Sequence, residues 1–445
     1  MKRATPVSSV IGALFILWGA SVVQARSLSD QISLLYGEKG ITLSNVVTPG
    51  PPDVAHTAHF TSDSLANLGN LVKQFAPSAA DFPAISTVPG LTFRYNTQLH
   101  VFERSSTSLG PVFVERPQTL GGGKLDFGFS YLYIDFDEFE GNDLDGFQFA
   151  GLAHNDCCGT RPNDPSGNFN PTFEEDTADL IFDKFNLRSH VASFFATYGI
   201  TDRWDVNVLL PVVFTSLRVK ARAELNNESG TNTHRFDVGA ASGCEAGSIA
   251  TRCLRSIDDD KTGVGDLQLR TKYQLFDNEA FSIASGLTLR LPTGDEDNFQ
   301  GIGDPTLTPF LALAQDLGPV NLHANGGVEI NFDDSDRSRV RYAVGATVRL
   351  IEQIALLVDV IGSSNLRTDR VSTRVPLFTA AETLAGEEVR SKTISTDIVD
   401  LNVGFKISPF GTEKPVVGFA TVFVPLTDDG LRADAIPAVG LEMGF

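Results

Sequence analysis

From Lys124 to the carboxyl terminus, apolar side chains recur at every second position, the period of a β-strand. Leu125, Phe127, Phe129, Tyr131 and Tyr133 alternate with Asp126, Gly128 and Ser130. A strand at about 180–199 sets Phe185, Leu187, Val191 and Phe195 against Lys184, Arg188 and His190. Trp204, Val206, Val208, Leu210, Val212 and Phe214 stand opposite Asp205 and Asn207. Leu267, Leu269, Thr271, Tyr273 and Leu275 stand opposite Asp266, Gln268, Arg270, Lys272 and Gln274, and Phe281, Ile283, Leu287, Leu289 and Leu291 follow. Further strands are predicted at about 304–315, 319–332, 338–350, 353–365, 394–408, 414–426 and 432–445. The faces of 304–315 and 414–426 are not readable, and Pro309 and Pro425 would interrupt pairing there.

These strands number about twelve, an even count, and their long connections (about 140–177, 225–262 and 362–393) all fall at one end. Short turns such as Asp316-Leu317-Gly318 and Ile351-Glu352-Gln353 fall at the other. Asp266, Arg270, Lys272, Asn321, His323, Asn325, Glu329, Arg339, Arg341, Arg349, Asp359, Asp400, Asn402 and Lys406 all lie on the face opposite the apolar one. A soluble barrel would carry its charges outside; this one is predicted to carry them inside. Lipid cannot satisfy an open sheet edge, so such a sheet must close. The fold class expected is all-β, a transmembrane antiparallel β-barrel of about 12 strands over residues 124–445. The competing fold is a soluble secreted β-protein.

Residues 26–123 do not alternate in this way. Leu65, Leu68, Leu71, Val72 and Phe75 share one helical face over Ser62–Phe75, Asp30–Tyr36 suggests a shorter helix, and Leu91 to Val101 reads as one strand. Before them, Met1-Lys2-Arg3, the apolar run Val10–Val23 and Val23-Gln24-Ala25 read as a signal peptide over residues 1–25. The expected location is therefore the bacterial outer membrane, with outer-membrane lipid and the barrel-assembly machinery as partners. The last strand carries Leu441, Met443 and Phe445 on one face, and a terminal aromatic resembles the signal that this machinery recognises.

Charge narrows the function. The formal net charge is −20, and loss of Lys2 and Arg3 takes it to −22, which argues against nucleic acid as a partner. The four cysteines are Cys157, Cys158, Cys244 and Cys253, all outside the predicted strands, and Cys244–Cys253 is the simplest disulfide. The adjacent pair is a weak basis for a metal site, so neither metal nor cofactor is expected. Asp258-Asp259-Asp260 reads as a solvated loop or a divalent-cation site. No Gly-x-Ser-x-Gly elbow or His-Glu-x-x-His helix occurs, and His190 and Ser193 lie on opposite strand faces, so no enzyme is expected. Glu329, Arg339, Arg341, Arg349 and Asp359, with His323, are the candidates for a lumen constriction. They could orient polar ends of a solute, hold a plug, or form cross-strand ion pairs with a structural role.

Residues Phe102 to Gly141 are similar to a known family, as are Tyr198-Gly199-Ile200-Thr201-Asp202-Arg203-Trp204-Asp205, Gly263-Val264-Gly265-Asp266-Leu267-Gln268-Leu269-Arg270, Leu289-Arg290-Leu291-Pro292-Thr293-Gly294-Asp295 and Gly303-Asp304-Pro305. The chain resembles outer-membrane transporters labelled with phenol-degradation pathways, distantly like the long-chain fatty-acid and aromatic-hydrocarbon channels. The resemblance implies a diffusion channel for small hydrophobic or amphipathic solutes, with residues 26–123 as an N-terminal plug containing a short helix. It also implies a sideways exit at a kinked strand, for which Pro211 and Pro309 are candidates, ordinary rim bulges being the alternative. The competing function is a non-transporting structural or surface-interaction barrel.

Overall fold

In a computed structural model the described residues are 26–35, 75, 78–88, 93–96, 101–104, 109–153, 177–226, 235–236, 238, 244–278, 280–366, 369–378, 384–394, 397–410 and 416–444. The signal-peptide residues, Cys157, Cys158, Phe445 and nearly all of the expected helix 62–75 lie outside them. A short helix, α1 (Leu28–Ser33), is capped by Ser27, whose hydroxyl accepts from the Asp30 backbone N–H. The strands are β1 (Phe93–Asn96), β2 (Val101–Arg104), β3 (Leu125–Phe136), β4 (Glu138–Phe139), β5 (Asn142–Asp143), β6 (Gln148–Ala153), β7 (Thr177–Thr201), β8 (Trp204–Asn226), β9 (Arg252–Val264), β10 (Leu267–Asp277) and β11 (Phe281–Leu291). They continue with β12 (Thr306–Asp316), β13 (Val320–Asn331), β14 (Arg339–Ile351), β15 (Ile354–Asn365), β16 (Asp369–Phe378), β17 (Leu384–Ile394), β18 (Ile398–Ile407), β19 (Val416–Pro425), β20 (Leu431–Arg432) and β21 (Ile436–Gly444).

Among the described residues twelve strands close a ring in the order β3-β7-β8-β10-β11-β12-β13-β14-β15-β18-β19-β21, each antiparallel to its neighbours, with β21 returning to β3. The alternation of side chains fixes what faces out. Phe127, Phe194, Leu210, Leu269, Leu311, Val344, Phe405 and Leu441 are exposed on the outer surface, a belt that a soluble protein would hide. Trp204, Tyr198 and Tyr273, near the short turns, add the amphipathic rings suited to a membrane interface. Strands of about ten residues suffice to cross a bilayer. β7 and β8, at 25 and 23 residues, run far beyond that.

The surplus length of β7 and β8 explains two departures from the sequence pattern. Above the membrane belt their outer face turns ionic: Arg188 pairs with Asp135 at 3.1 Å, and Arg218 with Asp258 and Asp260, each at 2.9 Å. Asp258-Asp259-Asp260 is therefore not a loop. It lies in β9, because the extended edge of β8 supplies a ladder for it, and Cys253, bonded to Cys244, lies there too. The apolar set of β7 also points inward: Phe185, Leu187, Val191 and Phe195 are buried, while Arg188 faces out. Residues 91–101 depart as well. They hold parts of two strands, β1 and β2, which pair antiparallel with Asn96 opposite Val101.

The prolines have visible effects. β12 pairs with β13 at Leu307 and again at Phe310, but not at Pro309, which has no N–H to donate. Pro211 sits where β8 changes partner from β10 to β9, and its carbonyl accepts from Gly265 N–H at 2.8 Å.

Described residues of the N-terminal part, among them 26–35, 75, 78–88 and 109–120, lie inside and above this ring. At the outer end Leu28, Ile32 and Phe75 pack with Phe182, Phe185, Leu217 and Val219 into an apolar core. α1 is tied to the 3-10 turn Glu296–Asn298 and to β9: Ser29 Oγ donates to Asp297, and Gln31 Nε2 to Asp259. Residues 81–88 and 109–120 then run through the lumen, joined to each other by Ser86 N–H to the Val112 carbonyl at 2.8 Å.

Candidate functional site in the barrel lumen

Glu329 on β13 and Arg339 on β14 are cross-strand partners, and Arg341 is the next inward residue of β14. Arg339 Nε and Arg341 Nε donate to the two oxygens of Glu329, each at 2.6 Å. Their remaining nitrogens reach Asp81 of the inner segment, at 2.9 Å from Arg339 and 2.6 Å from Arg341. Arg290 on β11 joins Asp81 at 3.5 Å and Asp266 at 2.8 Å. Burial works against the Asp81 carboxylate, but Arg339 and Arg341 outweigh it and hold its pKa below the ordinary value.

Nearer the short-turn end, Lys272 on β10 donates to Glu115 and to the Arg116 carbonyl, both at 2.7 Å. Glu115 also accepts from Thr87, at 2.6 Å from its hydroxyl and 2.8 Å from its backbone N–H. Burial again opposes the charge, and Lys272 followed by Arg270 brings the Glu115 pKa below the ordinary value. On β18, Lys406 donates to the carbonyls of Leu109 at 2.9 Å and Pro111 at 3.2 Å. Gly110 between them has φ +71° and lies under the Arg116 guanidinium, a conformation and a space that a side chain would not share.

His323 and Asp359 form a separate buried pair at 2.8 Å, with Asn402 donating to the other Asp359 oxygen at 3.2 Å. The register places His323, Gly345, Asp359 and Asn402 in one row across β13, β14, β15 and β18. His323 reaches Asp359 over Gly345, where a Cβ would lie 2.0 Å from the carboxylate oxygen.

Beside residues 81–86 the lumen holds a cavity of about 170 Å³. Phe82, Ile85, Phe113 and Phe310 give it apolar walls, and Arg270 and Asn325 are among its polar lining. Arg270 spends Nε on Asn207 at 2.8 Å and Nη1 on the Ile85 carbonyl.

Of the residues marked from the sequence, Glu329, Arg339 and Arg341 meet in one network. His323 and Asp359 form a second, deeper one. Arg349 belongs to neither and stands at the short-turn end of β14, opposite Ala355. Leu441 and Met443 face outward on β21. The inner-segment acids Asp81 and Glu115 were not marked. They lie in non-alternating sequence, and nothing local distinguishes them from surface acids; only the surplus of inward Arg and Lys on the strands hints that counter-charges must come from elsewhere. Among the described residues no cluster of histidine, cysteine and acidic side chains has the make-up of a metal site.

A closed ring with an apolar outer belt and a charged interior defines a transmembrane β-barrel. The chain belongs to the family described as "Putative MetA-pathway of phenol degradation", whose model matches residues 159–414. No curated protein matches the chain in sequence. Among solved structures, an outer membrane channel from Pseudomonas putida F1 is 13% identical with a TM-score of 0.42, covering 74% of this chain and 98% of its own. The Ralstonia pickettii toluene transporter TbuX is 11% identical with a TM-score of 0.32, covering 74% and 92%. The CymD monoaromatic hydrocarbon channel is 11% identical with a TM-score of 0.32, covering 73% and 89%.

Proposed function

We propose that this protein is a channel of the bacterial outer membrane that passes small hydrophobic or amphipathic solutes by diffusion, with residues 26–123 as its plug. The observation that carries the proposal is the filled lumen: two chain segments run through a closed barrel, held by buried ion pairs and flanked by a cavity with aromatic walls. Membership of a family named for phenol degradation supports a small aromatic cargo. In this reading Glu329, Arg339 and Arg341 hold the plug through Asp81, His323 and Asp359 brace the wall, and Arg349 lines the inner mouth. Residues 1–25 direct export, and Leu441, Met443 and Phe445 present the terminal signal to the barrel-assembly machinery.

The test is single-channel conductance of the reconstituted protein, with and without residues 26–120, together with solute uptake by a deletion strain. Removal of the plug is expected to raise conductance, and the deletion strain to take up small aromatics more slowly. No conductance in either form, with unchanged uptake, would leave the non-transporting structural barrel as the better account.

A further inference from the structure

Phe82, Ile85, Phe113 and Phe310 give the lumen cavity an apolar wall facing a polar one, and two of the polar wall residues carry atoms without protein partners. Arg270 is 7% exposed and makes no ion pair among the described residues, and its Nη2 has no hydrogen-bond partner. On the same side of the lumen, on β13, Asn325 Oδ1 is buried and equally without one. Leaving buried polar atoms unpaired is costly, so an occupant that answers them is favoured over one that does not. The size also selects: a cavity of about 150 Å³ is known to accommodate a benzene ring, and this one is about 170 Å³.

We propose that the cavity is a saturable binding site for single-ring aromatics that carry a hydroxyl group, of which phenol is the simplest. The ring occupies the space between Phe82, Phe113 and Phe310. A hydroxyl both accepts and donates, so it answers Arg270 Nη2 or Asn325 Oδ1, whereas a hydrocarbon answers neither. This deepens the channel reading and rests on it: the resting lumen holds its cargo at one site and discriminates by hydrogen bonding as well as by size.

The test is a saturation-transfer NMR titration of phenol and of toluene against the mature chain in nanodiscs, with protein-free nanodiscs as blank. Phenol is expected to bind saturably and about tenfold more tightly than toluene, the scale of a hydrogen bond to a charged or buried partner. Ala343→Phe, which fills the cavity from β14, is expected to abolish saturable phenol binding. Asn325→Leu leaves the ion pairs untouched and is expected to reduce the phenol preference several-fold. Equal binding of phenol and toluene overturns the site's chemistry, and undiminished phenol binding by correctly folded A343F overturns its location. Conductance and uptake are measured in parallel. Passage of solutes without saturable binding overturns the site alone, and binding without passage overturns the channel reading alone.

Discussion

The two sides of the lumen hold the inner segments by different physics. On the side of β19, β21, β3, β7 and β8 the wall presents Phe419, Phe423, Ala438, Leu132, Val191, Phe195 and Leu209, and these pack on Ile85, Val112 and Phe113. Phe113 meets Phe423 edge-on at 4.7 Å between ring centroids. On the side of β10 to β14 the wall presents Lys272, Arg290, Arg339 and Arg341, which grip Asp81 and Glu115, while Glu329 holds Arg339 and Arg341 in place. The apolar contact is non-directional and gains by area alone. The ionic grip is directional, so it sets the register of the inserted chain, and Glu115, whose ion pair is with Lys272, is left as a buried charge when that partner goes.

The sharpest way to break the comparison is to remove one partner on the ionic side. Lys272→Ala strands Glu115 in the lumen and is expected to cost about 3–5 kcal/mol of docking of the inner segment. This should appear as raised basal conductance and as cleavage of residues 109–120 by added protease. The double variant Lys272→Ala/Glu115→Ala is expected to recover much of the loss, because the orphaned charge is gone; failure to recover would show that the pair does not hold the segment. On the apolar side Phe113→Ala removes a buried ring and is expected to cost about 3 kcal/mol. Measured by the same conductance, its effect should be largely independent of pH.

Titration separates the two sides with a smaller effect. The Asp81 and Glu115 pKa values are depressed from ordinary values of 3.8 and 4.5, so their docking contribution is full above those values and is lost as pH falls through the depressed ones. Conductance is expected to stay level from about pH 7 to 5 and to rise below about pH 4. The Phe113→Ala variant should show the same pH curve on a raised baseline. A rise already complete at pH 6 would place the grip in other groups.

Much of the barrel could be read from the chain because its rule is local. A strand in lipid needs only an apolar residue at every second position, and that parity assigned the inward charges on β10, β13, β14, β15 and β18 from the residues themselves. β19 was unreadable for an equally physical reason. Val417, Phe419 and Phe423 are apolar yet face inward, where they meet the inner chain segments instead of water, so both faces are apolar and the alternation disappears. The inward apolar set of β7 has the same cause.

By itself the sequence determined an even count of about twelve strands, the end that bears the long connections, and the inside position of the charges, since each depends on neighbours along one strand or on loop length. Only the tertiary structure decided that Asp258 to Asp260 lie in a strand beyond the membrane, because that depends on the free edge of β8. It also decided which acids answer the lumen cations. Asp81 lies 260 residues from Arg341 along the chain, and Glu115 lies 157 from Lys272. Ring closure brings such pairs together, and no local pattern encodes a contact that exists only once the ring is shut.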